Sequence, residues 1–148
     1  MDIGDFFSAD RIALDVRVRD KTQLLQELAR RAAAALPGIA PDAIATALQA
    51  REALGSTGLG HGFALPHARI EGLTRLFGLF VRLARRIEYA AIDGAPVDLV
   101  FLLLIPPDSD ATHVSALAAI SRRMRDADAR ARLRSAGTEA ATLAVLSG

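Results

Sequence analysis

Three histidines, His61, His67 and His113, are the side chains of this chain best suited to chemistry near neutral pH. An imidazole with a pKa of about 6.5 keeps a nucleophilic nitrogen available and can also donate a hydrogen bond. His61 and His67 stand on either side of a short apolar segment. His113 stands in the first turn of a predicted helix, just beyond a predicted central strand, where α/β proteins commonly bind ligands. The amides of that helix terminus would favour an anion.

His67 has the sequence surroundings expected of a phosphoryl acceptor. Pro66 restricts the backbone before it, and the glycine-rich segment GSTGLGHG at 55–62 precedes it. Arg51 and Arg69 are near enough in the sequence to supply positive charge. Phosphoryl transfer needs an in-line nucleophile and guanidinium or amide donors for the phosphoryl oxygens. This stretch of the chain therefore favours chemistry on a phosphoryl group.

Other chemistries fit the same residues less well. A zinc site built from the three histidines lacks helical i, i+4 spacing and an obvious fourth ligand. The glycine-rich segment resembles a phosphate cradle, but the G-x-x-x-x-G-K-[ST] motif of nucleotide-binding loops is absent. Ser56 and Ser109 could serve as hydrolytic nucleophiles, yet neither lies in a G-x-S-x-G motif. A metal hydrolase that uses the three histidines stays open as an alternative.

The composition excludes several kinds of site and partner. The 148 residues contain no cysteine, which excludes disulfides, thiolate-bound zinc, iron–sulfur clusters and thiol catalysis. Lys21 is the only lysine among 18 basic residues, and it is expected to open a helix rather than to act in a phosphate loop. With 17 acidic residues the formal net charge is +1, so nucleic acid is not the expected partner.

The chain has the features expected of a single cytoplasmic domain. Asp2, Asp5 and Asp10 stand where a signal peptide would have a basic start. The longest apolar stretch, at 99–107, is shorter than the roughly 20 residues that cross a bilayer. We therefore expect no membrane insertion, and the length fits one domain.

Two helices are predicted before the glycine-rich segment. Apolar residues recur at helical spacing from Asp20 to Leu36, with Asp20 as the N-cap and Gln23 completing a capping box. The second helix begins at Pro41 and is stopped by Gly55.

Strands and further helices are predicted after that segment. Strands are expected at 63–65, 76–83, 87–92 and 97–105, the last being buried on both faces and preceded by a turn at Asp93-Gly94. A helix capped within 110–112 follows, and a final helix starts near Thr138. This order predicts an α/β or α+β domain in which a mixed sheet is flanked by helices.

A basic run lies between these two helices. It consists of six arginines, Arg122, Arg123, Arg125, Arg130, Arg132 and Arg134, interleaved with Asp126 and Asp128. The alternation of charge predicts a solvated helix face, with a partner or nucleic-acid surface as the alternative.

Three segments of the chain resemble one known family. They are REALGSTGLGHGFALPHAR at 51–69, IDGAPVDLVFLLLIP at 92–106 and THVSALAAISRRMRD at 112–126. Together with the first helix they make nearly the whole chain, taken as one domain over 1–148, similar to the enzyme IIA domain of the mannitol and fructose class of the bacterial phosphotransferase system. The closest likeness is to the free-standing nitrogen-regulatory branch. The family fold, a mixed sheet flanked by helices, agrees with the predicted elements.

The resemblance implies roles for individual residues. In the family, the histidine of the A-x-P-H motif, here His67, accepts a phosphoryl group from a phosphorylated histidine-containing carrier protein. Arg51 and His113 are implied to stabilise that group. The supporting candidates around them are His61, Arg69, Ser56 and Thr57.

Two positions depart from the family pattern. His61 replaces the usual asparagine or acid and adds a titratable group beside the expected site. Ala68 replaces the glycine that is common after the active histidine, which would stiffen the loop. Neither departure removes the nucleophile.

The expected mechanism is in-line transfer between two imidazoles, with charge carried by Arg51, His113 and local amides, and with no metal or organic cofactor. His67 is expected in a shallow depression whose apolar rim docks the donor, formed by Leu59, Phe63 and Leu65. One hypothesis is a regulatory phosphocarrier that signals nitrogen or carbon status through contacts with target proteins. The other is a sugar-specific enzyme IIA that passes the group to a separate enzyme IIB for fructose or mannitol uptake.

Overall fold

The computed structural model describes residues 3–148 and confirms a mixed sheet flanked by helices. The strands are β1 (Ile12–Val16), β2 (Gly58–Gly60), β3 (Phe63–Ala64), β4 (His67–Arg69), β5 (Phe77–Ile87) and β6 (Val97–Ile105). The helices are α1 (Lys21–Ala35), α2 (Pro41–Leu54), α3 (Thr112–Met124), α4 (Ala127–Ser135) and α5 (Glu139–Ser147), with short 3-10 helices at Ile3–Asp5 and Ala9–Arg11. Within the described residues, no helix has the length and apolar character that a membrane span requires.

The sheet is built around β6. The strand order is β1-β5-β6-β3-β2, and β4 also pairs with β6. β3 and β4 both run parallel to β6, opposite Leu99–Val100 and Leu103–Ile105 respectively. β5 is antiparallel to β6, whereas β1 is parallel to β5. The chain between β3 and β4 therefore stays at one edge of β6, so β4 begins near the carboxyl end of that strand.

The burial of β6 confirms the predicted central strand. All nine of its residues are buried. Val100, Leu102 and Leu104 pack in the core that includes residues of α1 and α2. Leu99 and Phe101 pack in the core that includes residues of α3, α4 and α5. This alternation follows from the period of two in a strand, and it places helices on both faces.

The ends of the first two helices follow the sequence signals closely. Asp20 caps α1, because its carboxylate accepts a hydrogen bond from Gln23 N at 2.8 Å. The side chain of Gln23 accepts a hydrogen bond from Arg19 N at 2.7 Å. In a capping box it would accept from the N-cap, Asp20, so the observed bond is displaced by one residue. α2 begins at Pro41 and has Gly55 as its C-cap, as predicted.

Short strands were the main omission of the sequence analysis. β1, β2 and β4 were not predicted, because strands of three to five residues with mixed polarity have no clear period. The predicted strand at 87–92 is wrong: β5 itself continues to Ile87. Beyond it the chain turns at Ala90, which has φ +57°, and Ile92 N donates to Gly58 O.

The basic run forms two helices rather than one solvated face. α3 and α4 are separated by Arg125 and Asp126, and Asp126 caps α4. Arg134 binds the buried carboxylate of Asp98 at 3.0 Å and the carbonyl oxygen of His61 at 2.8 Å. Arg123 donates to Val145 O at 2.6 Å. These arginines fasten the helices to the sheet and to each other, so the prediction of a solvated face is wrong for them.

Candidate functional site

Arg51, His67 and His113 line one surface depression of about 500 Å³. Arg51 lies in the last turn of α2, His67 is the first residue of β4, and His113 is in the first turn of α3. The remaining lining residues are Ala47, Ala50, Leu54, Ala68, Arg69, Ile105 and Leu117. The fold thus brings together three functional candidates that lie up to 62 positions apart in the sequence (113 − 51).

The ring of His67 is oriented by a backbone carbonyl. Its Nδ1 lies 2.8 Å from the carbonyl oxygen of Leu65. A carbonyl oxygen can only accept, so Nδ1 carries the hydrogen and Nε2 keeps the lone pair. The half-buried ring therefore presents Nε2 as its nucleophilic nitrogen.

The electrostatic surroundings favour the neutral form of this ring. Burial is the main cause that lowers the pKa of His67 from its usual 6.5, and the charges of Arg51 and His113 lower it further. The hydrogen bond to Leu65 and the carboxylate of Glu52 act in the opposite direction. A neutral imidazole is the form that can attack an electrophile.

Arg51 and His113 supply groups that can bind an anion. Arg51 donates one Nη1 hydrogen bond to Gly55 O at 2.9 Å, which fixes the guanidinium and leaves further N–H donors. Nδ1 of His113 is buried and has no hydrogen-bond partner among residues 3–148. The amides at the start of α3 add partial positive charge next to this ring.

Arg69 holds the loop that leads to His113. Its Nη1 lies within 3.2 Å of the carbonyl oxygens of Pro106, Pro107 and Ser109, between β6 and α3. Arg69 also lines the depression. These contacts are consistent with the supporting role expected of Arg69, because they hold the loop that places α3.

His61, Ser56 and Thr57 do not line the depression. The backbone of His61 has φ +56°, and its N–H donates to the Asp93 carboxylate at 3.0 Å. Ser56 donates from its hydroxyl to Tyr89 O, and Thr57 is buried. These three residues stabilise the backbone around them and do not contact the depression.

The hypothesis of a three-histidine metal site is not supported by this arrangement. Only His67 and His113 share the depression. In the described part of the chain, no cluster of three or more histidine, aspartate or glutamate side chains is arranged to hold a metal ion.

The expected apolar rim is wrong, because none of Leu59, Phe63 and Leu65 lines the depression. Phe63 and Leu65 are core residues, exposed by 4% and 3%. The exposed apolar side chain at the depression is Leu54, which is 85% exposed. Leu54 is the last residue of α2, and a sequence pattern cannot distinguish such a terminal residue from the buried leucines of the same helix.

Glu52 is the residue near the site that the sequence analysis did not consider. Glu52 follows Arg51 in α2, and its carboxylate binds Lys21 and Thr57. The sequence indicates a role for Glu52 only by its place next to Arg51 and five residues before Thr57. Its partner Lys21 is 31 positions away (52 − 21), so this contact could not be predicted.

The family model described as phosphoenolpyruvate-dependent sugar phosphotransferase system, EIIA 2, matches residues 5–148. The nitrogen regulatory protein of Bradyrhizobium diazoefficiens is 44% identical over 146 residues, which cover 99% of this chain and 95% of that protein. Both matches extend over nearly the whole chain.

Solved structures share this fold, among them a nitrogen regulatory protein and an enzyme IIA mannitol. The nitrogen regulatory protein IIA-Ntr from Neisseria meningitidis superposes with a TM-score of 0.91 at 31% identity, covering 97% of this chain and 98% of that chain. Enzyme IIA mannitol from Escherichia coli, in its complex with phosphorylated enzyme IIB mannitol, gives a TM-score of 0.79 at 16% identity, covering 95% of this chain and 96% of that chain. At that identity, the mannitol protein shows a common fold alone.

Proposed function

Because the chain belongs to the EIIA 2 family of the phosphoenolpyruvate-dependent sugar phosphotransferase system, we propose that it is a regulatory phosphocarrier that accepts a phosphoryl group on Nε2 of His67. The donor is a phosphorylated histidine-containing carrier protein. The observation that carries the proposal is the shared depression, in which a neutral imidazole with a free Nε2 stands beside a guanidinium and a second imidazole.

The transfer step needs no proton movement at the acceptor ring. Nε2 of His67 attacks phosphorus in line, and a new P–N bond forms as the P–N bond to the donor histidine breaks. The electron pair of the broken bond returns to the donor ring nitrogen. Nδ1 keeps its hydrogen and its hydrogen bond to Leu65 O. This hydrogen bond also stabilises the positive charge that the ring gains.

Arg51 and His113 have the chemistry to stabilise the transferring group. Its charge is spread over three equatorial oxygens, and catalysis depends on donors that are already positioned around them. The unengaged N–H groups of Arg51 and the ring of His113 serve this purpose, and the amides at the start of α3 add to it.

The carrier protein docks on the exposed surface around the depression. Because His67 is only half-buried, a donor histidine can approach its Nε2 to bonding distance. Leu54 and Leu117 provide apolar contact area at the opening. We expect this contact to be transient.

A regulatory role is supported by the name of a relative matched over nearly the whole chain. The Bradyrhizobium protein, matched along nearly its whole length, carries the name nitrogen regulatory protein. We propose that this chain likewise signals through contacts with target proteins that depend on the phosphorylation of His67.

The family description, which names a sugar phosphotransferase system, supports a second candidate function. A sugar-specific enzyme IIA would pass its phosphoryl group to a separate enzyme IIB. Incubation of the phosphorylated protein with purified fructose-type and mannitol-type enzyme IIB distinguishes the two roles, because only the transport role predicts rapid loss of phosphate to one of them.

The test of the phosphocarrier function is incubation with phosphoenolpyruvate, enzyme I and the carrier protein. We expect one acid-labile, base-stable phosphoryl group, mapped by peptide mass spectrometry to His67. His67→Ala should abolish labelling, whereas the matched control His61→Ala should be labelled normally, since His61 lies outside the depression. His113→Ala should keep the acceptor but slow the transfer. Labelling of a folded His67→Ala protein would refute the assignment.

A further inference from the structure

Glu52 is a buried carboxylate held by several donors. Its side chain is 7% exposed, and Lys21 Nζ lies 2.7 Å from Oε1. Thr57 N also donates to Oε1, at 3.1 Å, and the Thr57 hydroxyl donates to Oε2. Burial raises the pKa of Tyr89 above its usual range, so its hydroxyl, 3.0 Å from Thr57 Oγ1, stays protonated. A carboxylate buried at this depth is tolerated only because these partners replace water.

Thr57 connects this carboxylate to the ring of His67 through the backbone. The carbonyl oxygen of Thr57 accepts a hydrogen bond from Leu65 N at 2.9 Å. The carbonyl oxygen of Leu65 in turn accepts from Nδ1 of His67 at 2.8 Å. Glu52 binds both the N–H and the hydroxyl of Thr57, so it fixes the first member of this series.

The same segment of chain also holds Arg51. Arg51 Nη1 donates to Gly55 O at 2.9 Å, two residues before Thr57. On the other side of Thr57, Gly58 packs so closely against Ala91 that an added Cβ would lie 2.8 Å from its atoms. The segment at 55–58 is therefore confined on one side by close packing and on the other by the carboxylate of Glu52.

We infer that Glu52 is a positioning residue for phosphoryl transfer, which fixes the segment at 55–58 and thereby holds the guanidinium of Arg51 and the imidazole of His67 in one arrangement. The inference rests on the proposed function, in which both side chains contact the phosphoryl group. Lys21 Nζ lies 2.7 Å from Glu52 and offsets part of the negative charge that this anchor brings near the phosphoryl group.

The charge of Glu52 has a second, measurable effect on His67. Burial lowers the pKa of His67, and the carboxylate of Glu52 acts against that lowering. Loss of the carboxylate should therefore move the titration of His67 to lower pH, in addition to any change in the orientation of the ring. A residue that only stabilised the fold would change neither property in a folded variant.

The test compares Glu52→Ala and Glu52→Gln with Glu139→Ala, a control that removes an equal charge at the start of α5. In folded Glu52→Ala, we expect phosphoryl transfer from the carrier to slow by at least about tenfold, because small displacements of reacting groups are costly. ¹⁵N NMR of the ring should show loss of the Nδ1–H preference and a lower pKa of His67. Glu52→Gln, which keeps an acceptor for Thr57 N, should lower the pKa with a smaller loss of rate. The control should match the wild type in every measurement.

A folded Glu52→Ala protein with the wild-type rate, tautomer and pKa would overturn the inference. If that variant does not fold, an unchanged rate and an unchanged His67 titration in Glu52→Gln would overturn it instead. The tautomer and pKa are read in unphosphorylated protein. Failure of the wild type to accept phosphate would thus refute the proposed function separately, while the NMR measurements would still decide whether Glu52 positions His67.

Discussion

A single hydrogen bond, from Nδ1 of His67 to the carbonyl oxygen of Leu65, selects the nitrogen that can react. The partner is backbone rather than a carboxylate, so it orients the ring without placing a negative charge next to it. Burial and the cation of Arg51 then keep the ring neutral near physiological pH. Under the proposed function, His67 would therefore need no separate general base.

The pH dependence of phosphoryl acceptance should reflect this environment. We expect His67 to titrate below pH 6.5, so the transfer rate should decrease at a more acidic pH than it would for a histidine of ordinary pKa, as Nε2 becomes protonated. Arg51→Met removes a cation that lowers the pKa, and it should raise the pKa of His67. An NMR titration of the ring in both proteins, with initial rates for the wild type, tests this expectation. A wild-type pKa above 6.5 would contradict it.

At the scale of elements, the site depends on the loop between β6 and α3. Arg69 projects from β4, beside the carboxyl end of β6, and binds three carbonyl oxygens of that loop. The start of α3, and with it His113, is thus fastened to the strand that begins with His67. Strand pairing and loop anchoring together set the spacing between the two imidazoles.

Arg69→Met should therefore slow phosphoryl transfer by releasing this loop. Because the effect acts through His113, the same substitution should have little additional effect in a His113→Ala background, as expected for coupled residues. The exposed Arg75, changed to Met, is the matched control and should transfer at the wild-type rate. Fully additive rate losses in the double variant would show that Arg69 acts independently of His113.

The sequence predicted the long elements well and the short ones poorly. α1, α2 and β6 carry strong periodic patterns and clear end signals, and they were found at nearly their observed bounds. β1, β2 and β4 exist because neighbouring strands offer hydrogen bonds, which is a tertiary effect. Arg51, His67 and His113 could be named as candidates because they stand in recognisable sequence motifs. The hydrogen bond to Leu65 and the anchoring by Glu52 could not, because they depend on contacts that only the folded chain creates.

At the scale of the whole molecule, β6 separates two cores that must both be filled. Phe101 lies on the side of α3, α4 and α5, and its ring packs against the rings of Phe7, Phe63 and Phe80. These contacts join the N-terminal segment to β3 and β5, the strands on either side of β6. A substitution here should affect the stability of the entire domain, while an exposed apolar residue at the depression should affect partner binding and leave stability nearly unchanged.

We expect Phe101→Ala to lower the free energy of unfolding by about 3–5 kcal/mol, because a cavity replaces a fully buried ring. Leu54→Ala should change it by less than about 0.5 kcal/mol, since that side chain is 85% exposed. Leu54→Ala should instead raise the KM for the phosphorylated carrier at unchanged kcat. Urea unfolding and transfer kinetics of both variants provide the measurements. Equal destabilisation by the two substitutions would contradict this division between core and docking surface.

The single opening above Arg51, His67 and His113 also limits the order of events. Under the proposed function, a protein that delivers phosphate and a protein that removes it would each cover this opening, so the two could not be bound together. Turnover with both present therefore follows ping-pong kinetics, with a covalent intermediate that exists free of either partner. Each partner at high concentration would then act as a competitive inhibitor of the other.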